Sequence, residues 1–179
     1  MKDLAELCLE ILINSIEADA NKIDFELSLD TQNKVVIQDN GRGIAPDVLI
    51  DITNPYHTSR LTRQLGFGLA FFKQAIEQGN GHIEISSTLK VGTRVEGIWD
   101  STHIDAIPLG NIGESVALVI QRMPDLEFTF SLWIQNELRQ FKSLEVKEAI
   151  HPLSLAEVEI IAWIETYINS LFVISKENV

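Results

Sequence analysis

Glu10 and Asn14 stand four residues apart in the stretch MKDLAELCLEILINS, one turn apart on one helix face. A carboxamide oxygen suits a hard cation such as Mg²⁺, and a carboxylate beside it can orient or deprotonate an attacking water. A carboxylate and a carboxamide so placed could share work at a metal–phosphate site. Asparagine is a mediocre residue for the middle of a helix, which gives position 14 weight. The plainer alternative is a polar stripe facing water on an otherwise buried helix. Three glycine clusters follow. Asp39-Asn40-Gly41-Arg42-Gly43-Ile44 comes directly after the apolar run KVVIQ. Asp-Asn-Gly forms turns on its own. The second glycine also lets the backbone approach a ligand closely, and an aspartate at a strand end can accept from an amino group such as that of adenine. Gly66-Phe67-Gly68-Leu69 opens a helix, whose first N–H groups favour phosphate, though a simple helix start is the commoner cause. Gly92-Thr93 is a weaker signal still, since a turn glycine before a β-favouring threonine is its ordinary reading.

The elements that must position these residues are legible from periodicity. Residues 3–18 read as a helix with Leu4, Leu7, Cys8 and Ile11 on one side and Leu9, Leu12, Ile13 and Ile16 nearly opposite. The stripe between them carries Asp3, Glu6, Glu10, Asn14 and Glu17. Residues 22–29 and 34–38 read as strands joined by a turn at Asp30–Asn33. Pro46 opens a short helix, 53–66 are polar and irregular, and a helix from about Phe67 to Gln78 stops at Gly79-Asn80-Gly81. Strands are expected at 82–88 and 93–99, and a boundary near 100–110. Beyond it come a helix at 111–122, a strand at 126–134, a second arm near 138–144 and a final helix at 154–171. No strand–helix–strand series demands an all-parallel sheet, so the order predicts an antiparallel or mixed sheet covered by helices on one face.

The bulk composition bounds the function. The chain has 179 residues, 45% hydrophobic and 22% charged, as in an ordinary globular protein. A formal net charge of −12 argues against a nonspecific grip on nucleic acid or an acidic membrane. It leaves room for a nucleotide held by backbone amides and magnesium. The lone cysteine, Cys8, excludes an internal disulfide and any multi-cysteine metal site, and its apolar neighbours make it a buried thiol. The N-terminus lacks a signal-cleavage pattern and no apolar run reaches membrane-spanning length, so the expected location is the cytoplasm. The histidines at 57, 82, 103 and 151 are scattered and read as structural or exposed.

The clusters occur in an order that resembles the gyrase, heat-shock chaperone, histidine kinase and MutL (GHKL) ATPases over roughly residues 4–99. Glu10 to Ala20 resembles their N-box, Asp39 to Ile44 their first glycine box, Gly66 to Leu69 the second, and Gly92-Thr93 the final glycine–threonine box. The resemblance implies an α+β fold, a two-layer α/β sandwich of the Bergerat type. It places an ATP-binding domain at 1–100 and a C-terminal α/β extension at 101–179 that packs or binds a partner. It implies Glu10 as general base and Asn14 as magnesium ligand. Asp39 would be the acceptor for the adenine amino group, helped by Thr93 through water. Gly41, Gly43 and Ile44 would shape the adenine wall and the lid hinge, and Gly66, Phe67, Gly68 and Leu69 would bring backbone amides to the phosphates. Residues 45–65 would be the lid, with Arg60 and Arg63 as phosphate contacts or, equally, solvent-facing charges.

The implied cofactors are ATP and Mg²⁺, and the implied activity is an ATPase or nucleotide-dependent switch acting on a protein partner. A serine or histidine kinase of the anti-sigma type and a noncatalytic module on the same fold are the alternatives. Few residues precede the N-box, so autophosphorylation of a preceding dimerisation helix is not expected of this chain alone. The compact layout looks like the small stand-alone histidine-kinase-like ATPases.

Overall fold

A six-stranded sheet organises the computed structural model, which describes residues 3–30, 32–53 and 68–173. The first helix, α1 (Leu4–Glu17), starts where Asp3 Oδ1 accepts from Glu6 N at 2.9 Å. Its first two amides, otherwise without helical partners, donate to the carbonyls of Pro108 and Leu109 at 2.9 and 3.0 Å. The chain turns at Asp19, in the left-handed region at φ 61°, and enters β1 (Lys22–Leu29). Strand β2 (Gln32–Asp39) returns antiparallel, so it is longer at both ends than its apolar run alone indicates. Then come α2 (Pro46–Thr53) and α3 (Gly68–Gln78), which ends at Gly79 and Asn80, followed by the hairpin β3 (His82–Thr88) and β4 (Gly92–Asp100).

After an irregular stretch, α4 (Ile112–Arg122) begins one residue later than expected because Asn111 is its cap, accepting from Glu114 N at 3.0 Å. The hairpin β5 (Glu127–Ile134) and β6 (Glu137–Lys142) follows, then α5 (Ser143–Ile150) and α6 (Val158–Ser170). Helix α5 replaces the end of the expected 138–144 arm. Ser143 turns inward, where its hydroxyl accepts from Phe128 N at 2.8 Å and donates to Leu126 O at 2.7 Å. That ends the strand. The last helix is shorter than 154–171 because Ser154 holds a turn, accepting from Ala156 N on Oγ and from Glu157 N on its carbonyl.

The strand order is β3-β4-β2-β1-β5-β6, antiparallel throughout except for the parallel pair β1–β5. One face supplies the core: Ile23, Phe25 and Leu27 from β1, Val35 and Ile37 from β2, Val95 and Trp99 from β4, and Phe128, Phe130 and Leu132 from β5. Helices α1, α3, α4 and α6 close over them with Leu4, Leu7, Leu12, Phe72, Ile76, Val116, Ile120, Ile164 and Ile168, all buried. Each such side chain contributes roughly 1.5–3 kcal/mol by leaving water. The alternate residues, such as Glu26, Lys34, Gln38, Glu84 and Glu96, are exposed or half-buried on the other face. The architecture is the expected mixed α/β sandwich with helices on one face. Cys8 lies in the core, and burial pushes its thiol pKa far up, so the thiol stays protonated.

Candidate functional site

The polar stripe of α1 divides along its length. Glu6 and Glu17 are exposed, whereas Glu10 and Asn14 are half-buried. Asn14 lines a cavity with Ile11, Ser15, Ala18, Ile37, Asp39, Gly43, Ile44, Leu69, Thr93 and Val95, and with Glu17 and Arg42, both exposed. Helix α1 forms one wall, the ends of β2 and β4 the floor, and the first turn of α3 the opposite side. The cavity has a volume of about 90 Å³ and opens to solvent. Aliphatic residues (Ile11, Ile37, Leu69, Val95) meet polar and charged ones (Asn14, Ser15, Glu17, Asp39, Arg42, Thr93), the usual make-up of a small-molecule site.

Asp39 is at the centre of the polar set. Its Oδ1 accepts from Gly41 N at 2.8 Å and Thr93 N at 3.3 Å, and its Oδ2 accepts from Ser15 Oγ at 2.9 Å. A loop, a strand and a helix thus each hold the same carboxylate. A carboxylate offers about four acceptor positions, so the three donors leave one for a ligand. Ser15 is buried and shares its hydroxyl with the Ile11 carbonyl at 3.2 Å. Thr93 Oγ1 is 2.9 Å from Ser87 Oγ, which also accepts from Ile44 N at 2.8 Å and donates to Gly92 O at 3.0 Å. The glycine loop is fastened on both sides: Arg42 N donates to Ala18 O, and Lys90 N to Arg42 O, both at 2.8 Å.

Two of the glycines are required by conformation. Gly43 has φ 68° and Gly92 φ 136°, and a Cβ would stand 2.1 Å from Thr88 O and 1.9 Å from Asp39 O respectively. Gly68 is required by proximity, since a Cβ there would lie 2.5 Å from Glu10 Oε2. The Glu10 carboxylate therefore sits at the N-terminal, positive end of α3.

Among the residues singled out from sequence, Asn14, Asp39, Gly43, Ile44, Leu69 and Thr93 line one cavity. Gly41 donates to its central carboxylate, and Glu10 and Gly68 touch each other beside it. Arg60, Arg63, Gly66 and Phe67 lie outside the described residues. Ser15 and Ser87 were not anticipated, nor were the floor residues Ile37 and Val95. The Asn14 carboxamide makes no hydrogen bond to protein among the described residues, although it is half-buried and lines the cavity. A carboxamide oxygen left unpaired in this way fits a hard divalent cation shared with a polyphosphate.

The family profile described as "Histidine kinase-, DNA gyrase B-, and HSP90-like ATPase" matches residues 1–102. The sensor histidine kinase ZraS of Salmonella typhimurium (strain LT2) is 35% identical over 88 residues, covering 47% of this chain and 19% of that protein. The C4-dicarboxylate transport sensor protein DctB of Rhizobium meliloti (strain 1021) is 30% identical over 89 residues, covering 47% of this chain and 14% of its own. The chain thus spans less than a fifth of the curated relatives it matches. A histidine kinase domain from the Erythrobacter litoralis EL346 blue-light activated histidine kinase aligns over 55% of this chain and 43% of its own, with a TM-score of 0.42 and 18% identity.

Proposed function

Because the chain belongs to the histidine kinase-, DNA gyrase B- and HSP90-like ATPase family, and so carries an ATP-binding domain, we propose that it holds Mg-ATP in this cavity and acts as an ATPase or nucleotide-operated regulatory switch. The observation that carries the proposal is that Asn14 and Asp39, from separate elements, line one cavity. In this reading Asp39 uses its remaining acceptor position for the adenine amino group, with Thr93 assisting through water, and Ile37, Ile44 and Val95 sandwich the ring. Asn14 would hold Mg²⁺, which when bound neutralises phosphate charge. The start of α3 at Gly68 and Leu69 turns backbone amides to the phosphates, with Gly66, Phe67, Arg60 and Arg63 as further contacts. Glu10 orients and deprotonates the attacking water.

A switch needs a reader, and we assign that role to a protein partner at a cytoplasmic location. Among the described residues, no helix is long and apolar enough to cross a membrane. The kinship with a sensor histidine kinase favours one second reading, transfer of the γ-phosphoryl group to a serine or histidine of the partner.

Thermal unfolding with and without Mg-ATP tests the binding. A ligand at a hundredfold excess over its Kd stabilises the native state by about 2.7 kcal/mol. The wild type should shift upward, Asp39→Asn should lose the shift, and Glu10→Ala should keep the shift but lose phosphate release. A wild type that ignores Mg-ATP would overturn the proposal, and equal turnover in Glu10→Ala would remove Glu10 from the mechanism. Labelled phosphate appearing on a partner rather than in solution would favour the kinase.

A further inference from the structure

The second half of the chain carries a cleft of its own. Val146, Ala149 and Ile150 of α5 face Ile160 and Trp163 of α6 across a groove of about 420 Å³, with Glu145 at its edge. It lies outside residues 1–102, so the family's nucleotide chemistry does not account for it. Trp163 is 45% exposed, yet its ring is stacked on Tyr167 at 5.0 Å and 18°, which gives the groove a preorganised aromatic wall. Leu153, on the connection between the helices, and Val158, the first residue of α6, are more than half exposed. Apart from Glu145 the lining is apolar, so the groove lacks the converging polar groups that orient a small ligand. It suits side chains inserted by another polypeptide.

Charge decides which polypeptide. Residues 143–170 carry five glutamates (145, 148, 157, 159, 165) against one lysine, Lys147. That lysine is already paired with Asp125, and Lys142 with Glu145. Glu148, Glu157 and Glu159 are exposed and have no ion-pair partner among the described residues. A second copy of a chain with net charge −12 would bring like charges together. Two helices flanking an apolar groove accept a third by inserting side chains at i, i+3, i+4 and i+7. We propose that the α5–α6 groove is a docking site for an amphipathic helix with a basic polar face, contributed by another protein.

The test uses the full chain and a fluorescein-labelled peptide of leucine and lysine at helical spacing, read by anisotropy. A peptide with glutamate for lysine and a scrambled lysine peptide serve as comparisons. The lysine peptide should bind, more weakly as salt rises, and the other two should bind at least about tenfold more weakly. Trp163→Ala should weaken binding about tenfold or more, as expected of a central aromatic anchor. Glu159→Lys should weaken it severalfold, while Glu84→Lys, on the open sheet face, should leave it unchanged. Circular dichroism checks that Trp163→Ala folds; if it does not, the contrast between Glu159→Lys and Glu84→Lys carries the test. No binding of the lysine peptide, equal binding of the scrambled one, equal loss in Glu84→Lys, or wild-type affinity in a folded Trp163→Ala would each overturn the proposal. So would a dimer in sedimentation that Trp163→Ala disperses, since the occupant would then be a second copy.

Discussion

Ser15 is buried in α1, where its hydroxyl bridges the helix backbone and the Asp39 carboxylate. A hydrogen bond to a charged acceptor is worth about 1.5–3 kcal/mol, and here it orients the carboxylate proposed to read the base. Ser15→Ala should therefore weaken Mg-ATP binding about tenfold by titration calorimetry and lower stability by about 1.5–3 kcal/mol. An unchanged Kd would leave the hydroxyl a purely structural tie. Asn14 and Asp39 were legible in the sequence because their types are out of place: a carboxamide in mid-helix and an acid between an apolar strand and a glycine. Ser15 and Ser87 were not legible. Serine is unremarkable in either element, and what matters is a partner that only folding brings near, 24 residues away for Ser15 and Asp39.

At the scale of elements, apolar periodicity places the strands and helices of the first hundred residues almost to their ends among the described residues, while the irregular stretch at 53–66 lies almost wholly outside them. The errors lie where side chains override the pattern, as when Ser143 turns inward and starts α5. The role of Gly92 was also hidden, because a turn glycine before a strand has an ordinary explanation. In the fold it allows β4 to pass so close to Asp39 that the amide of Thr93 reaches the carboxylate. Gly92→Ala combines a φ of 136° with a Cβ 1.9 Å from the Asp39 carbonyl oxygen, so it should cost about 3 kcal/mol or more in urea unfolding. Gly79→Ala is the matched comparison. Its nearest neighbours lie at 3.4 Å, ordinary contact distance, and it should unfold nearly as wild type does.

For the molecule as a whole, β1 is paired on one side with β2 and on the other with β5, whose register runs from Lys22↔Glu127 to Leu29↔Ile134. No local pattern announces a parallel partner a hundred residues downstream, which is why the sequence yields the strands but not this neighbour. Phe25 meets Phe130 with ring centroids 5.1 Å apart, Ser115 Oγ donates to Ala5 O at 2.9 Å, and α4 packs on α1. A chain cut after residue 102 would bare the β1 edge together with the α1 flank that α4 covers. We expect such a fragment to lack a cooperative melt and to bind a hydrophobic dye. A sharp unfolding transition with retained Mg-ATP binding would show that the nucleotide half stands alone.

The same parallel pairing sets an order on biosynthesis. As the polypeptide emerges from the ribosome, β1 and β2 are available early, yet the bonding groups on β1's far side stay unmatched until residue 134 has cleared the exit tunnel. Until then the nascent chain presents an open strand edge with unpaired N–H and C=O groups, a surface that a ribosome-associated chaperone is suited to shield.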